Sequence, residues 1–158
     1  MSNQVVKRYS AVALFSPNLD RVVLIHKLRP AWQAGKANFP GGKVEARDWP
    51  GGNTGHLDRV YNANSPGGPA YEIKWVAGDF SRAHINAAAR ELEETGLVVA
   101  VESLTLFCAL RFNSPDGKPA ECHFFCAVSD VDKARTVEAE PIFVADVDDV
   151  LDGQVIDC

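Results

Sequence analysis

One segment of the sequence, residues 81–96, predicts an amphipathic helix that needs a second layer to cover it. Ser81 is a favourable N-cap residue, and Gly96 is a typical C′ residue that ends a helix. The apolar side chains between them follow i, i+3, i+4, i+7 spacing, at Ile85, Ala88, Ala89 and Leu92. This apolar face has to be buried, so the other segments of the chain must supply the surface that it packs against.

Strand-like segments lie on both sides of this helix. They are found at residues 9–15, 21–26, 98–112, 122–128 and 142–145. Turn signals at 16–20 and 114–117 predict two hairpins, residues 29–43 predict a loop, and residues 146–151 predict a last short helix. Strands before, beside and after one strong helix predict a mixed α/β (α+β) single domain.

Composition limits the classes of function. A chain of 158 residues suits a single domain over 1–158, and its net charge of −5 gives no general attraction to nucleic acid or to an anionic membrane. The sequence contains neither a membrane-spanning apolar run nor a signal-peptide pattern, so we expect a cytoplasmic protein. The four cysteines form no CxxC pair, which favours free thiols over a zinc site.

The segment 49–80 predicts an excursion from the main fold. It holds six glycines and three prolines, and structureless connections of this length are uncommon inside compact domains. Its aromatic residues, among them Tyr61, Tyr71 and Trp75, favour partial order, with a short hairpin around residues 71–76. We interpret it as a Gly/Pro-rich insertion.

The acidic side chains near the end of the helix form the candidate site. At about 100° per residue, Glu91 and Glu94 lie on one flank of the helix and Glu93 on the opposite flank. Arg90 lies beside Glu94, where it can steady a carboxylate. Taken alone, this is also the pattern of a solvated helix face with an Arg90–Glu94 ion pair. His84, two turns before Glu91, is expected at the surface or in a capping role.

The order of Gly42, Asp48 and the run Ala89-Arg90-Glu91-Leu92-Glu93-Glu94-Thr95-Gly96-Leu97 resembles the Nudix box. The stretch 29–38 also resembles the segment that leads into this box. The likeness covers residues 9 to 150 and implies an αβα sandwich with a mixed central sheet. Three departures stand out: Asp48 replaces a Glu, 41 residues replace a seven-residue spacer, and the helix motif is one residue short.

The Nudix resemblance implies Mg²⁺ or Mn²⁺, held by helix glutamates and the Gly42 carbonyl, with Arg90 orienting a carboxylate. Hard oxygen ligands suit these ions, which stabilise charge on a diphosphate. The candidate metal ligands are Gly42, Glu91, Glu94, Glu93 and Asp48. The shortened helix leaves two alignments open. Aligned forward from Arg90, Glu91 and Glu94 keep their places in the Nudix box. Aligned backward from Gly96, Glu93 and Glu94 fill the Glu-Glu pair of the box, and a tightened last turn would swing Glu93 inward.

The resemblance also implies a general base, supplied by a later loop or by the helix. Glu138 and Glu140 precede the strand at 142–145 and are the candidates, although a solvated loop explains them as well. Arg29, Lys36 and Lys43 are candidates for phosphate contacts, and Asn38 for contact with a base. For these side chains, too, the alternative is an ordinary solvated surface.

The expected function is Mg²⁺-dependent hydrolysis of a nucleoside diphosphate linked to another group: a nucleoside triphosphate, a nucleotide sugar or a dinucleotide. The expected partner is therefore a small nucleotide, and a homodimer is left open. One alternative is a Nudix-like domain that binds a nucleotide without cutting it, because the helix motif is short. Another is an interaction module that docks through the 49–80 insertion.

Overall fold

The structure, a computed structural model, describes residues 6–50, 55–62, 68, 70–77 and 80–153. Its helices and strands in chain order are β1 Lys7–Phe15, β2 Arg21–His26, β3 Ala37–Asn38, β4 Gly41–Lys43, β5 Gly55–Asn62, β6 Ala70–Ala77, α1 Phe80–Glu93, β7 Thr105–Asn113, β8 Pro119–Val128, β9 Ile142–Asp146 and α2 Val147–Leu151. No described helix has the length and apolar character needed to cross a bilayer.

Seven strands form one mixed sheet, the kind of sheet that the Nudix resemblance implies. The strand order is β3-β2-β1-β8-β7, with β4 also pairing with β1 and β9 with β2. β1 and β8 run parallel along their whole length, from Lys7 opposite Ala120 to Phe15 opposite Val128. The other pairs are antiparallel, including the predicted hairpins β1–β2 and β7–β8.

The sheet is covered on both faces, which confirms the αβα sandwich. On one face the apolar side of α1 (Ala88 and Leu92) packs on Val12, Leu14 and Phe125 from the two parallel strands. On the other face Val147 and Val150 of α2 pack with Val22 and Leu24 of β2. Successive strand residues point to opposite faces, so Val23 joins the α1 layer while its neighbours join the α2 layer.

Two predicted boundaries differ from the structure. A 3₁₀ turn at Val101–Ser103 delays β7, which begins at Thr105 rather than at residue 98. The predicted loop 29–43 contains the short strands β3 and β4, because Gly41 allows β4 to lie against β1. A Cβ at Gly41 would lie 2.4 Å from the carbonyl oxygen of Ser10.

Helix α1 ends as the sequence predicts, with a tightened last turn. The amides of Glu94, Thr95 and Gly96 each donate to the carbonyl three residues earlier, and Gly96 has a φ of +73°. At the other end the helix already begins at Phe80, so Ser81 lies inside the helix rather than at its N-cap.

The insertion contains the antiparallel pair β5–β6, with Gly55 opposite Ala77 and Asn62 opposite Ala70. The predicted short hairpin around residues 71–76 is not observed, because these residues all lie within β6, which pairs with the separate strand β5. Residues 51–54, 63–67, 69 and 78–79 of the 49–80 excursion, and Cys158, lie outside the described residues. The three described cysteines are free thiols, as predicted.

Candidate metal and active site

The end of α1 brings two carboxylates into contact. Glu91 is 5% exposed and Glu94 is half-buried, and the two carboxyl groups are close enough for each to alter the pKa of the other. Burial raises the pKa of both groups. For Glu94 the charges of Glu91 and Glu138 add to burial and raise the pKa to about 7. Ionising both carboxyl groups at this point therefore costs free energy, and a bound cation would remove that cost.

Arg90 links Glu91 to Asp48, the residue that directly precedes the insertion. Its Nε and Nη2 donate to the two carboxylate oxygens of Asp48, each at 3.0 Å, and Nη1 donates to Oε1 of Glu91 at 2.5 Å. Burial alone would lower the pKa of Arg90, but these partners raise it, so the guanidinium stays charged. Arg90 therefore bonds to Asp48 and Glu91 in place of the Arg90–Glu94 ion pair expected for a solvated helix face.

Asp48 is itself buried and fixed. Its Oδ2 accepts a hydrogen bond from the Glu45 amide at 2.7 Å, and its backbone carbonyl accepts one from Asn86 of α1 at 2.8 Å. Both carboxylate oxygens are therefore occupied by protein donors. In this arrangement Asp48 orients Arg90, and Arg90 orients Glu91.

Gly42 lies directly against the carboxylate of Glu91. A Cβ at this position would lie 2.5 Å from Oε1 of Glu91. The neighbouring residue, Lys43, has an exposed side chain, but its carbonyl accepts a hydrogen bond from Nη2 of Arg90 at 3.0 Å. The β4 backbone and the end of α1 thus form one compact unit.

The remaining acidic candidates have different surroundings. Glu93 is exposed, although the last turn is tightened, while Thr95 is buried and donates to the Leu92 carbonyl at 2.6 Å. Glu138 is exposed, and its charge acts on Glu94. Glu140 accepts from Lys27 Nζ at 2.6 Å and from the amides of Leu28 and Arg29.

A cavity of about 570 Å³ opens beside Gly41 and Gly42. Its walls are largely aromatic and apolar, with contributions from Tyr9, Trp32, Phe39, Phe112 and Phe124. Its two lysines are each neutralised: Lys7 pairs with Asp116 at 2.8 Å and Lys27 with Glu140. Such a cavity suits an uncharged planar group.

The predicted substrate contacts are only partly brought together. Asn38 lines the cavity, with its Oδ1 held by the Phe39 amide at 2.8 Å. Arg29, Lys36 and Lys43 are exposed and are not among the side chains that line it. Lys7, Lys27 and Asp116 also line the cavity and were not predicted from the sequence. The Ser114–Gly117 turn was recognised, but nothing in the sequence indicated that Asp116 meets a residue of β1.

At the level of sequence, no family model and no curated protein matches the chain. Solved structures do resemble it. A MutT/nudix family protein from Enterococcus faecalis has a TM-score of 0.61 at 13% identity, over 92% of this chain and 46% of that one. The NUDIX domain of Shewanella oneidensis NrtR complexed with ADP ribose has a TM-score of 0.60 at 15% identity, over 94% and 78%. A Caenorhabditis elegans Ap4A hydrolase has a TM-score of 0.54 at 16% identity, over 93% and 85%.

These likenesses extend over nearly the whole chain, although it spans less than half of the Enterococcus protein. The chain has the Nudix fold.

Proposed function

We propose that this protein is a Mg²⁺- or Mn²⁺-dependent hydrolase that cleaves the diphosphate of a nucleoside diphosphate linked to another group. The observation that carries the proposal is the pairing of Glu91 with Glu94, two carboxyl groups of raised pKa. Gly42, which lies against Glu91, also lines the aromatic cavity. Paired acidic groups with strongly shifted pKa values are characteristic of a functional site.

The residues present fit a hard divalent cation. Glu91 and Glu94 offer carboxylate oxygens, and the Gly42 backbone lies against Glu91 without an intervening side chain. Such an ion, when bound, neutralises diphosphate charge and activates a water. We assign Glu91 and Glu94 as ligands. The exposed Glu93 and the arginine-bound Asp48 lie in less suitable positions.

The protein supplies the other parts of the reaction. Arg90 holds Glu91 in one orientation, so the carboxylate is positioned before substrate arrives. We assign proton acceptance from the attacking water to Glu138, which is exposed and lies close enough to influence Glu94. Glu140 is a poorer base because its hydrogen bonds and the Lys27 charge outweigh burial and lower its pKa.

The cavity would hold the part of the substrate that does not react. Its aromatic walls suit a nucleobase, with Asn38 as a polar contact. ADP-ribose and Ap4A, named for two of the structural neighbours, both belong to the proposed substrate class. Arg29, Lys36 and Lys43, exposed around the site, would contact phosphate groups as they approach.

The test is a screen of nucleoside triphosphates, nucleotide sugars and dinucleotides with Mg²⁺ or Mn²⁺, with products identified by mass spectrometry. We expect cleavage within the diphosphate for at least one compound. Glu91→Gln or Glu94→Gln should lower kcat by at least about a hundredfold without loss of fold. Near-full activity of both variants would contradict the assignment.

The shortened helix motif favours one alternative, a domain that binds a nucleotide without cutting it. Tight nucleotide binding with no product in the same screen would support that function. We also propose that the insertion forms a substrate wall or lid, because it is long and rich in aromatic residues. Deleting residues 50–78 tests this role. Unchanged substrate preference would contradict the lid. A pull-down that needs residues 49–80 but tolerates Glu94→Gln would instead support a docking role.

A further inference from the structure

A second group of metal-ligating side chains lies on the α1 side of the sheet. His84 of α1 and Glu121 and His123 of β8 each place a ligand atom within 4.8 Å of the others. His84 is completely buried, whereas the sequence predicted a surface or capping position. The side chains of His123 and Glu121 are 12% and 13% exposed. The group lies two helical turns before Glu91, and the proposed hydrolysis does not use it.

The hydrogen bonds fix which ring nitrogens carry protons. Nδ1 of His84 lies 3.0 Å from the Tyr9 carbonyl, which only accepts, so we assign the proton to Nδ1. Nε2 of His123 lies 2.6 Å from Oε1 of Glu121, so we assign the proton to that Nε2. The other two nitrogens, Nε2 of His84 and Nδ1 of His123, are buried without a hydrogen-bond partner.

This pattern is that of imidazole ligands. Histidines that bind a metal donate their second N–H to a carboxylate or a backbone carbonyl, as His84 does to the Tyr9 carbonyl. Burial, aided by the positive charge of Arg8, lowers the pKa of His84 to about 4, so its ring is neutral near pH 7. Two buried lone pairs without partners are costly, and a bound cation would satisfy them.

We propose that His84, His123 and Glu121 form a binding site for a transition-metal cation of the Zn²⁺ and Co²⁺ class. Two imidazoles and one carboxylate suit these ions, whereas the oxygen-only pair Glu91 and Glu94 suits Mg²⁺. The two sites on α1 would therefore select different metals.

Binding requires a specific rearrangement. The rings of His84 and His123 are stacked, with centroids 3.6 Å apart and planes 9° apart. A lone pair lies in its ring plane, so one ring has to turn for both nitrogens to meet one ion. We assign the turn to His123, because His84 is held by both the Tyr9 carbonyl and Ser10 Oγ.

The turn would also release a ligand. It breaks the bond from His123 to Oε1 of Glu121 and frees that oxygen for the ion. The second oxygen, Oε2, stays with Arg8 at 3.5 Å and Arg111 at 3.3 Å, which neutralise part of the carboxylate charge. The bound cation would tie the first half of α1 to β8 and stabilise the folded state by mass action.

The experiment is a Co²⁺ titration of the full chain in excess Mg²⁺, followed by visible absorption, together with thermal melts in Zn²⁺. We expect one equivalent with nitrogen and oxygen ligation and a Zn²⁺-dependent rise in Tm. His123→Gln and Glu121→Gln should each weaken Co²⁺ binding by at least about tenfold and remove the Tm rise. His26→Gln, in β2, is the matched histidine control and should bind as the wild type does.

Glu94→Gln should retain the Co²⁺ equivalent, which separates this site from the proposed hydrolytic one. Equal binding by the wild type and both β8 variants would overturn the proposal. So would a thiolate charge-transfer band, which would assign the ion to the free cysteines, or loss of the equivalent in Glu94→Gln alone.

Discussion

Individual acidic residues near α1 differ in what surrounds them, and those surroundings assign their roles. Glu138 is exposed near Glu94, whereas Glu140 is bound to Lys27 and to two backbone amides. Glu138→Gln is expected to lower kcat by about a hundredfold with little change in KM, because it removes the proton acceptor. Glu140→Gln should mainly raise KM, because it releases Lys27 at the cavity. Steady-state kinetics of both variants test this, and the reverse pattern would contradict the assignment.

Asp48 is the second residue whose role follows from its contacts. Asp48→Asn leaves a weaker acceptor for Arg90, so Glu91 should lose part of its orientation. We expect kcat to fall by about tenfold to a hundredfold, the range seen when a partner of a metal ligand is removed. Mn²⁺ binding stoichiometry should be unchanged. Asp149→Asn, an exposed residue of α2, is the matched control. Loss of the metal equivalent in Asp48→Asn would instead make Asp48 a ligand.

At the scale of elements, the site depends on how closely β4 approaches α1. Gly42→Ala adds a Cβ 2.5 Å from Glu91 Oε1, so the carboxylate or the strand has to move. We expect Mn²⁺ affinity to fall by at least about tenfold while the far-UV circular dichroism spectrum is retained. Lys43→Ala, whose exposed side chain is next in the strand, is the control. Unchanged affinity in Gly42→Ala would mean that this contact does not matter for metal binding.

The end of α1 should also make stability depend on pH. Glu94 has a pKa of about 7 in the folded state and an ordinary value of 4.5. Its contribution is therefore fully present below the lower value and is lost as pH rises through the higher one. In a chelator, the Tm of the wild type relative to Glu94→Gln should fall from about pH 5 to about pH 8, and Mg²⁺ should reduce that fall. A relative Tm that is flat or rises would contradict the raised pKa.

Local sequence patterns predicted the position of α1 and the side on which its glutamates lie, but not the distant residues that contact this helix. Apolar spacing and Gly96 gave the position of α1, and the angular argument placed Glu91 with Glu94 and away from Glu93, as the structure does. The bonds from Arg90 to Asp48 join residues 42 positions apart across an insertion, so no local spacing encodes them. The burial of His84 likewise depends on β8, which covers that flank of the helix.

At the scale of the whole molecule, strand-like runs and turn signals predicted the hairpins, and the Nudix resemblance implied the mixed sheet. The short strands β3 and β4 were missed, because two or three residues carry no periodicity. Their pairing is set by distant strands, β2 for β3 and β1 for β4. The parallel β1–β8 pair joins distant segments and is specified by the fold as a whole. The Nudix resemblance implied this overall fold, although the Nudix box is split by the insertion and is one residue short.

The central claim is that Glu91 and Glu94 together bind the divalent ion. Its most direct test is Mn²⁺ binding measured by electron paramagnetic resonance on the wild type, Glu91→Gln, Glu94→Gln and the exposed control Glu93→Gln. We predict that the first two variants lose at least about tenfold in Mn²⁺ affinity while Glu93→Gln binds as the wild type does. Wild-type affinity in Glu91→Gln and Glu94→Gln, or loss confined to Glu93→Gln, would contradict the claim.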